Sequence, residues 1–272
     1  MARNIISIFY RKDHKIMDRI KIMLAGYNGR MGRNIINAAE GQDNLLLTVG
    51  IDINPAPINL TFPVFTSPSD YGGKVDVILD FTWHSSIDII LEYALKTNTR
   101  LVIATTGHTE EEKTLISEAA KKISIFMSAN MSLGVNLVVD LAKKAAATIG
   151  SSYDIEIVEK HHNQKMDAPS GTALMIADEI SKSLAYTPEY KYDRHPERKK
   201  RSKNEIGLHS IRGGTIIGEH EIIFAGKDEV ITISHSAISK DMFSAGALEA
   251  VRFIYGVKEN RLYGMKDLIN SK

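Results

Sequence analysis

A chain of 272 residues, 43% hydrophobic and 25% charged, can bury one large core or two modest ones and has an ordinary globular composition. Its net charge of +1 supplies no global field toward nucleic acid or an anionic membrane. With no cysteine, disulfides, thiolate-held zinc, iron–sulfur clusters and thiol catalysis are excluded, in keeping with a cytoplasmic protein.

No run approaches the roughly 18 apolar residues of a membrane-spanning helix. Residues 1–20 hold a short apolar stretch, Ile5 to Tyr10, followed by basic residues and no small-residue cleavage site. That makes a poor signal peptide. The segment is expected to be an extension ahead of the first strand, with Met17 an alternative start.

Residues 21–25 (KIMLA) are a short apolar run ending at Gly26 and read as a buried strand. Residues 29–39 set Met31, Ile35, Ile36 and Ala39 on one helical face, and 45–51 read as a second strand ending at Asp52. Together they make a β-turn-α-β unit of nucleotide-binding length. The alternation continues through 75–81 (strand), 86–96 (helix), 100–104 (strand), 109–122 (helix) and 123–127 (strand). It predicts a parallel, doubly wound Rossmann-type sheet.

After Asn130 the pattern changes. Residues 133–149 read as one long helix, 153–159 as a half-exposed strand, and 170–184 as a helix. Residues 206–212, 219–225 and 229–236 read as strands separated by glycine turns, an α+β arrangement with an antiparallel tendency. Residues 243–255 return to an apolar helix. The expected fold class is α/β, with a dinucleotide-binding domain (21–130 and 242–272) and a mixed-sheet substrate-binding and oligomerisation domain (131–241). Residues 187–203 are basic with two prolines and read as a solvated loop; nucleic-acid binding would need a recognisable fold and stacking platform.

The first turn, 26-GYNGRMG-32, is a variant of the commoner G-x-G-x-x-G fingerprint. Gly26 permits a tight turn, Gly29 lets backbone N–H groups approach a pyrophosphate, and Gly32 permits close helix–strand packing. Arg30 adds charge near the phosphates. Asp52, at the end of the second strand, suits the ribose hydroxyls of an adenosine. It is followed by Ile53 instead of a cation, which favours NADH while leaving NADPH possible. The ends of the later strands, at Thr82, at Ala104, Thr105 and Thr106, and at Asn130, line one carboxyl edge, where open α/β sheets bind ligands.

The stretch 159-EKHHNQKMDAPSGTAL-174 combines two histidines and a lysine with a helix N-terminus at Ser170, Gly171 and Thr172. Free N–H groups there suit a carboxylate, and His161, His162 and Lys165 add donors and charge. The residues themselves describe an anion site that handles protons, fitted to a small carboxylated substrate. HH-x-x-K is not a metal-ligand spacing, so no metal is expected. Ser170 lacks a nucleophile-elbow pattern.

This stretch resembles the E-x-H-H-x-x-K-x-D-x-P-S-G-T-A signature of the 4-hydroxy-tetrahydrodipicolinate (dihydrodipicolinate) reductase family. The resemblance extends from Lys21 over nearly the whole chain, through G-Y-N-G-R-M-G, D-F-T, A-T-T-G, A-N-M-S-L-G-V-N and R-G-G-T-I-I-G-E-H. It implies reduction of a cyclic dicarboxylate by NADH or NADPH in diaminopimelate and lysine biosynthesis. It implies that His161 donates and accepts a proton, that Lys165 donates one, and that His162, Gly171 and Thr172 hold substrate carboxylates. It implies cofactor contacts at Gly26, Tyr27, Asn28, Gly29, Arg30, Met31, Asp52, Ala104, Thr105, Thr106, Ser128, Ala129, Asn130 and Met131. It further implies a homotetramer joined through the second domain. Closure of the two domains would bring nicotinamide and substrate together and exclude water. The chain departs from the family at 80-DFTWHSS-86, where proline often follows D-F-T; His84 there reads as a loop residue and not a catalyst. Two rivals remain: another NAD-dependent amino-acid or carboxylate dehydrogenase, and a non-catalytic NAD-sensing protein.

Overall fold

The computed structural model describes residues 19–55 and 60–272. The expectations for residues 1–18, including Met17, lie outside the described residues. In chain order the elements are β1 (Ile20–Ala25), α1 (Arg30–Ala39), β2 (Leu45–Ile51), β3 (Val64–Phe65), β4 (Val77–Asp80), α2 (Ile87–Thr97), β5 (Arg100–Ile103), α3 (Glu110–Ala120) and β6 (Ile125–Met127). There follow α4 (Leu133–Ile149), β7 (Asp154–His161), α5 (Gly171–Ser181), β8 (Glu189–Lys191), β9 (Glu205–Arg212), β10 (Gly218–Ala225), β11 (Val230–Ala237), α6 (Asp241–Gly256), β12 (Leu262–Tyr263) and α7 (Met265–Asn270).

The first sheet has seven parallel strands in the order β12-β6-β5-β4-β1-β2-β3. Alternation within β1 shows why it is covered on both faces. Ile22 and Leu24 pack with Ile35 of α1 and with Ala247, Val251 and Ile254 of α6. Met23 and Ala25 pack with Ile90 and Leu91 of α2 and Ile116 of α3. The α3 start is a capping box, in which Thr109 and Glu112 each bond the other's backbone N–H. The strand expected over 75–81 is shorter, and the helix expected from residue 86 begins at Ile87 behind a single tight turn over His84–Ser86.

The second sheet has the order β11-β10-β7-β9-β8. Its β11/β10/β7 half is antiparallel, but β7/β9 and β9/β8 are parallel, so the antiparallel expectation holds for only part of it. The connections are long enough for parallel pairing: α5 lies between β7 and β9, and residues 192–204 carry the chain back from β8 to β9. One face of the sheet packs Ile155, Ile157, Ile222 and Phe224 against Val139 and Ala142 of α4 and Ile176 and Ala177 of α5.

The basic segment 187–203 is not the solvated loop expected. It contains β8, and Arg194 bridges Glu205 (2.6 Å) and Glu156 (3.0 Å). Arg201 bonds Glu156 at 2.9 Å and Asp154 at 2.8 Å. Both arginines are therefore engaged by acids of the sheet. Among the described residues, no helix is long and apolar enough to cross a membrane.

Candidate active site

The glycine turn is built as a phosphate cradle requires. Gly26 has φ +80°, and a Cβ there would lie 2.5 Å from the Phe81 carbonyl oxygen. At Gly32 a Cβ would lie 2.2 Å from the Gly26 carbonyl oxygen, so α1 can approach β1 this closely only with glycine. Gly29 caps α1 with no side-chain hydrogen bond, unlike Thr109, Ser132 and Ser170 on their helices. The first-turn N–H groups of α1 thus have no side chain capping them, which fits the pyrophosphate of a dinucleotide. Asp52 stands beside the turn, accepting the N–H of Asn28 (3.2 Å) and of Asn54 (2.9 Å). Arg30 is exposed, while Arg33 bonds the Asn28 carbonyl and side chain.

Several of the expected cofactor residues offer backbone only. Tyr27 and Met131 are buried in the core, and the Thr105 hydroxyl turns inward to Asp80 at 2.9 Å. Asp80 also accepts the N–H and hydroxyl of Thr82, so one buried carboxylate ties the loops after β4 and β5 together. Burial raises its pKa, against the pull of those hydrogen bonds. Ser128 bonds the Asn130 carbonyl at 2.8 Å, and Asn130 Oδ1 accepts the Ser132 N–H at 2.9 Å. His84 sits in a tight turn with Nδ1 on Glu112 at 2.9 Å, a structural contact away from the histidine pair.

The second sheet supplies the proton-bearing end. Along β7, alternate residues Ile155, Ile157, Glu159 and His161 are buried on one face, apolar first and ionisable last. β7 ends at His161, which allows His161 and His162 to line the same cleft. Lys165 pairs with Asp167 at 2.8 Å, and this contact holds the Asp167 carboxyl below its usual range. Ser170 caps α5 through the Ala173 N–H at 3.2 Å. Burial pushes the His161 pKa down; Glu159 opposes this, and Lys165 and Arg212 add to it.

Between the two sheets lies a cleft of about 530 Å³. Thr106, Ala129 and Asn130 reach it from the parallel sheet; His161, His162, Lys165, Ser170, Gly171 and Thr172 reach it from the other. Gly26–Met31 and Asp52 lie outside it, farther along the same carboxyl edge of the first sheet. Among the described residues, no group of three His, Asp or Glu is placed to hold a metal.

Four contributors escaped the sequence reading. Glu159 and Arg212 form a bidentate pair behind His161, with Arg212 Nη1 and Nη2 at 2.8 and 2.7 Å. His220 lies with its ring centroid 5.3 Å from that of His161 and its Nε2 3.1 Å from Ser170 Oγ. Lys240 lines the cleft from just before α6. Glu159 and His161 share strand parity, a readable signal; Arg212 and His220 arrive through strand register, and Lys240 through the return into α6.

Residues 20–131 match the family described as dihydrodipicolinate reductase, N-terminus, and residues 134–269 match dihydrodipicolinate reductase, C-terminus. A 4-hydroxy-tetrahydrodipicolinate reductase of Caldanaerobacter subterraneus subsp. tengcongensis is 48% identical, over 92% of this chain and 98% of its own. One of Clostridium tetani is 44% identical, over 93% and 98%. The solved dipicolinate-bound dihydrodipicolinate reductase from Paenisporosarcina sp. TG-14 superposes with a TM-score of 0.79 at 26% identity, covering 92% of this chain and 99% of that one.

Proposed function

This chain belongs to the dihydrodipicolinate reductase family, and from that premise we propose how its residues work. It is an NAD(P)H-dependent oxidoreductase that reduces 4-hydroxy-tetrahydrodipicolinate to tetrahydrodipicolinate, in diaminopimelate and lysine biosynthesis. The reaction balances as one hydride and one proton in, with the 4-hydroxyl leaving as water. The nicotinamide, when bound, supplies the hydride to a ring carbon.

The rest falls to this chain. Gly171 and Thr172 at the α5 start, with His162, hold the ring carboxylates. Lys165 attracts the dianionic ring, and Lys165 or the His161 imidazolium delivers the proton as electrons collect on the conjugated nitrogen–carbon system. Residues Gly26–Met31, Asp52, Ala104–Thr106 and Ser128–Met131 hold the cofactor along the edge of the first sheet. The observation that carries this assignment is the shared cleft, in which Thr106, Ala129 and Asn130 face Lys165, His161 and Thr172.

NADH is the preferred cofactor in this reading and NADPH the second, because Asp52 precedes an exposed Ile53 and a carboxylate repels a 2′-phosphate. The domains divide near residues 131 and 241, and closure between them excludes water. The outer face of the second sheet, with exposed Ile211 and Val230, is the surface for assembly into a tetramer. A cysteine-free chain with biosynthetic relatives suits the cytoplasm.

The test is NADH oxidation with freshly generated 4-hydroxy-tetrahydrodipicolinate, repeated with NADPH and with Lys165→Ala. Rapid oxidation that falls by about 10²-fold or more in the variant is expected. Cofactor binding without turnover by the folded protein would favour an NAD sensor, and turnover indifferent to Lys165 would remove it from the chemistry.

A further inference from the structure

Glu159 is 1% exposed and does not itself line the cleft, yet every acceptor position of its carboxylate is in use. Oε2 takes His161 Nδ1 at 2.5 Å and Arg212 Nη1 at 2.8 Å. Oε1 takes Arg212 Nη2 at 2.7 Å and the Ser170 N–H at 3.1 Å. Burial raises the Glu159 pKa, but hydrogen bonds from Arg212, Ser210 and His161 outweigh it and bring it to about 2. An ionised carboxylate only accepts. The hydrogen between the two side chains therefore sits on His161 Nδ1, which leaves Nε2 as the exchanging atom. Space is kept at that atom: a Cβ on Gly218 would lie 3.0 Å from Nε2.

The same ion pair reaches the rest of the site. Arg212 Nη2 donates to the Asp167 carbonyl at 2.7 Å, fixing the turn that carries Lys165, and the Gly213 N–H donates to the His161 carbonyl at 2.9 Å. The Ser170 N–H, bound to Glu159, immediately precedes the Gly171–Thr172 helix start.

We propose that Glu159, clamped by Arg212, is a positioning residue that sets the His161 tautomer and locks the proton-transfer group in register with the anion cradle of α5. This rests on the reading of His161 and α5 given above. Without the pair, His161 would be free to adopt the other tautomer and present a hydrogen where the site needs a lone pair or a transferable proton.

The charged and titratable groups that face His161 are Glu159 on its own strand, Lys165 in the following turn, Arg212 on β9 and His220 on β10. His235 on β11 and Lys240 line the small adjoining cavity. Of these, Glu159 alone favours the imidazolium.

The first test needs no variant: ¹⁵N NMR of histidine-labelled protein, with His161 assigned by its loss in His161→Ala. Neutral His161 should carry its proton on Nδ1; a predominant Nε2–H form would overturn the proposal. The second test is Glu159→Gln, isosteric but neutral. It should lower kcat by about tenfold or more, the scale for neutralising a carboxylate behind a histidine. The limb of the kcat/KM profile on which activity falls as the His161 imidazolium loses its proton should move to lower pH, and NADH affinity should stay within about twofold. In a His161→Ala background the same change should alter kcat by less than about threefold. Equal losses in both backgrounds would mean general damage and overturn the proposal. If Glu159→Gln does not fold, Arg212→Lys, which breaks the fork but keeps the charge, takes the same kinetic test. A protein inert toward the assigned substrate would sink the functional reading while leaving the tautomer measurement to decide this one.

Discussion

Asn130 Nδ2 donates to Thr172 Oγ1 at 3.2 Å, joining the carboxyl edge of the parallel sheet to the start of α5 on the mixed sheet. Asn130 is itself held: its carbonyl accepts from Asn136 at 2.8 Å and its Oδ1 takes the Ser132 N–H at 2.9 Å. A residue assigned to the cofactor therefore touches one assigned to the substrate, and the bond measures how the two halves of the site are spaced.

Thr172→Val keeps the shape of the side chain and deletes the hydroxyl. A hydrogen bond to a charged carboxylate is worth about 1.5–3 kcal/mol, so KM should rise roughly 10- to 100-fold with kcat little changed. Steady-state kinetics decide it. A fall in kcat at constant KM would mean that the hydroxyl spaces the two halves and does not hold a carboxylate.

Asp52→Asn retains the size of the side chain but loses its charge. NADH should bind about tenfold more weakly, while NADPH, freed of repulsion, should lose less or gain. Titration of both cofactors by protein fluorescence reads the ratio. Equal losses for the two would reduce Asp52 to a brace for the glycine turn through Asn28 and Asn54.

Strands β1, β2, β4, β5 and β6 of the first sheet were legible because their runs are short, largely apolar and separated by segments of helical period, whereas the two-residue edge strands β3 and β12 were not. β8 was not: Glu189–Lys191 is a three-residue edge strand with charged ends inside a basic segment, and nothing local distinguishes it from a loop. The parallel pairing of β9 on β7 also lacked a local signal. The site divides in the same way. His161, Lys165, Gly171 and Thr172 lie in one continuous stretch, so their chemistry could be read together. Arg212 comes 53 residues after Glu159 and meets it only through strand register. His220 is opposite Glu159 across the β7/β10 pair, another relationship that spacing does not encode. Glu159 was readable by strand parity, but its function emerges only once Arg212 and Ser170 are found on its oxygens.

Gly26→Ala tests the turn without touching the chemistry. Its φ of +80° costs a side chain about 1–2 kcal/mol, and the overlap with the Phe81 carbonyl adds about 1–3 kcal/mol. Urea unfolding should show a loss of about 2–5 kcal/mol. A loss below about 1 kcal/mol would mean that the turn has room the structure does not show.

Acid should unfold this protein through His220 before it protonates Glu159. His220 is 5% exposed, and burial, with help from the neighbouring His161, lowers its pKa from 6.5 to about 4. The unfolded chain takes up this proton near pH 6.5 but the folded one only near pH 4. Between those values the unfolded state binds more protons, so stability falls as pH drops. The full window is worth up to about 3 kcal/mol. Burial also lowers the His161 and His235 pKa values, so their contributions have the same sign. Glu159, at about 2 when folded against 4.5 as a free group, loses its stabilising effect only at lower pH still. His220→Gln keeps a donor and acceptor for Ser170 and removes the titration. Urea midpoints converted to free energies at pH 4.5 and 6.5 should show a shallower pH slope in the variant, by up to about 1.4 kcal/mol per pH unit. An unchanged slope would mean that the folded protein protonates His220 as readily as the unfolded chain does, and that the ring is not held neutral against Ser170.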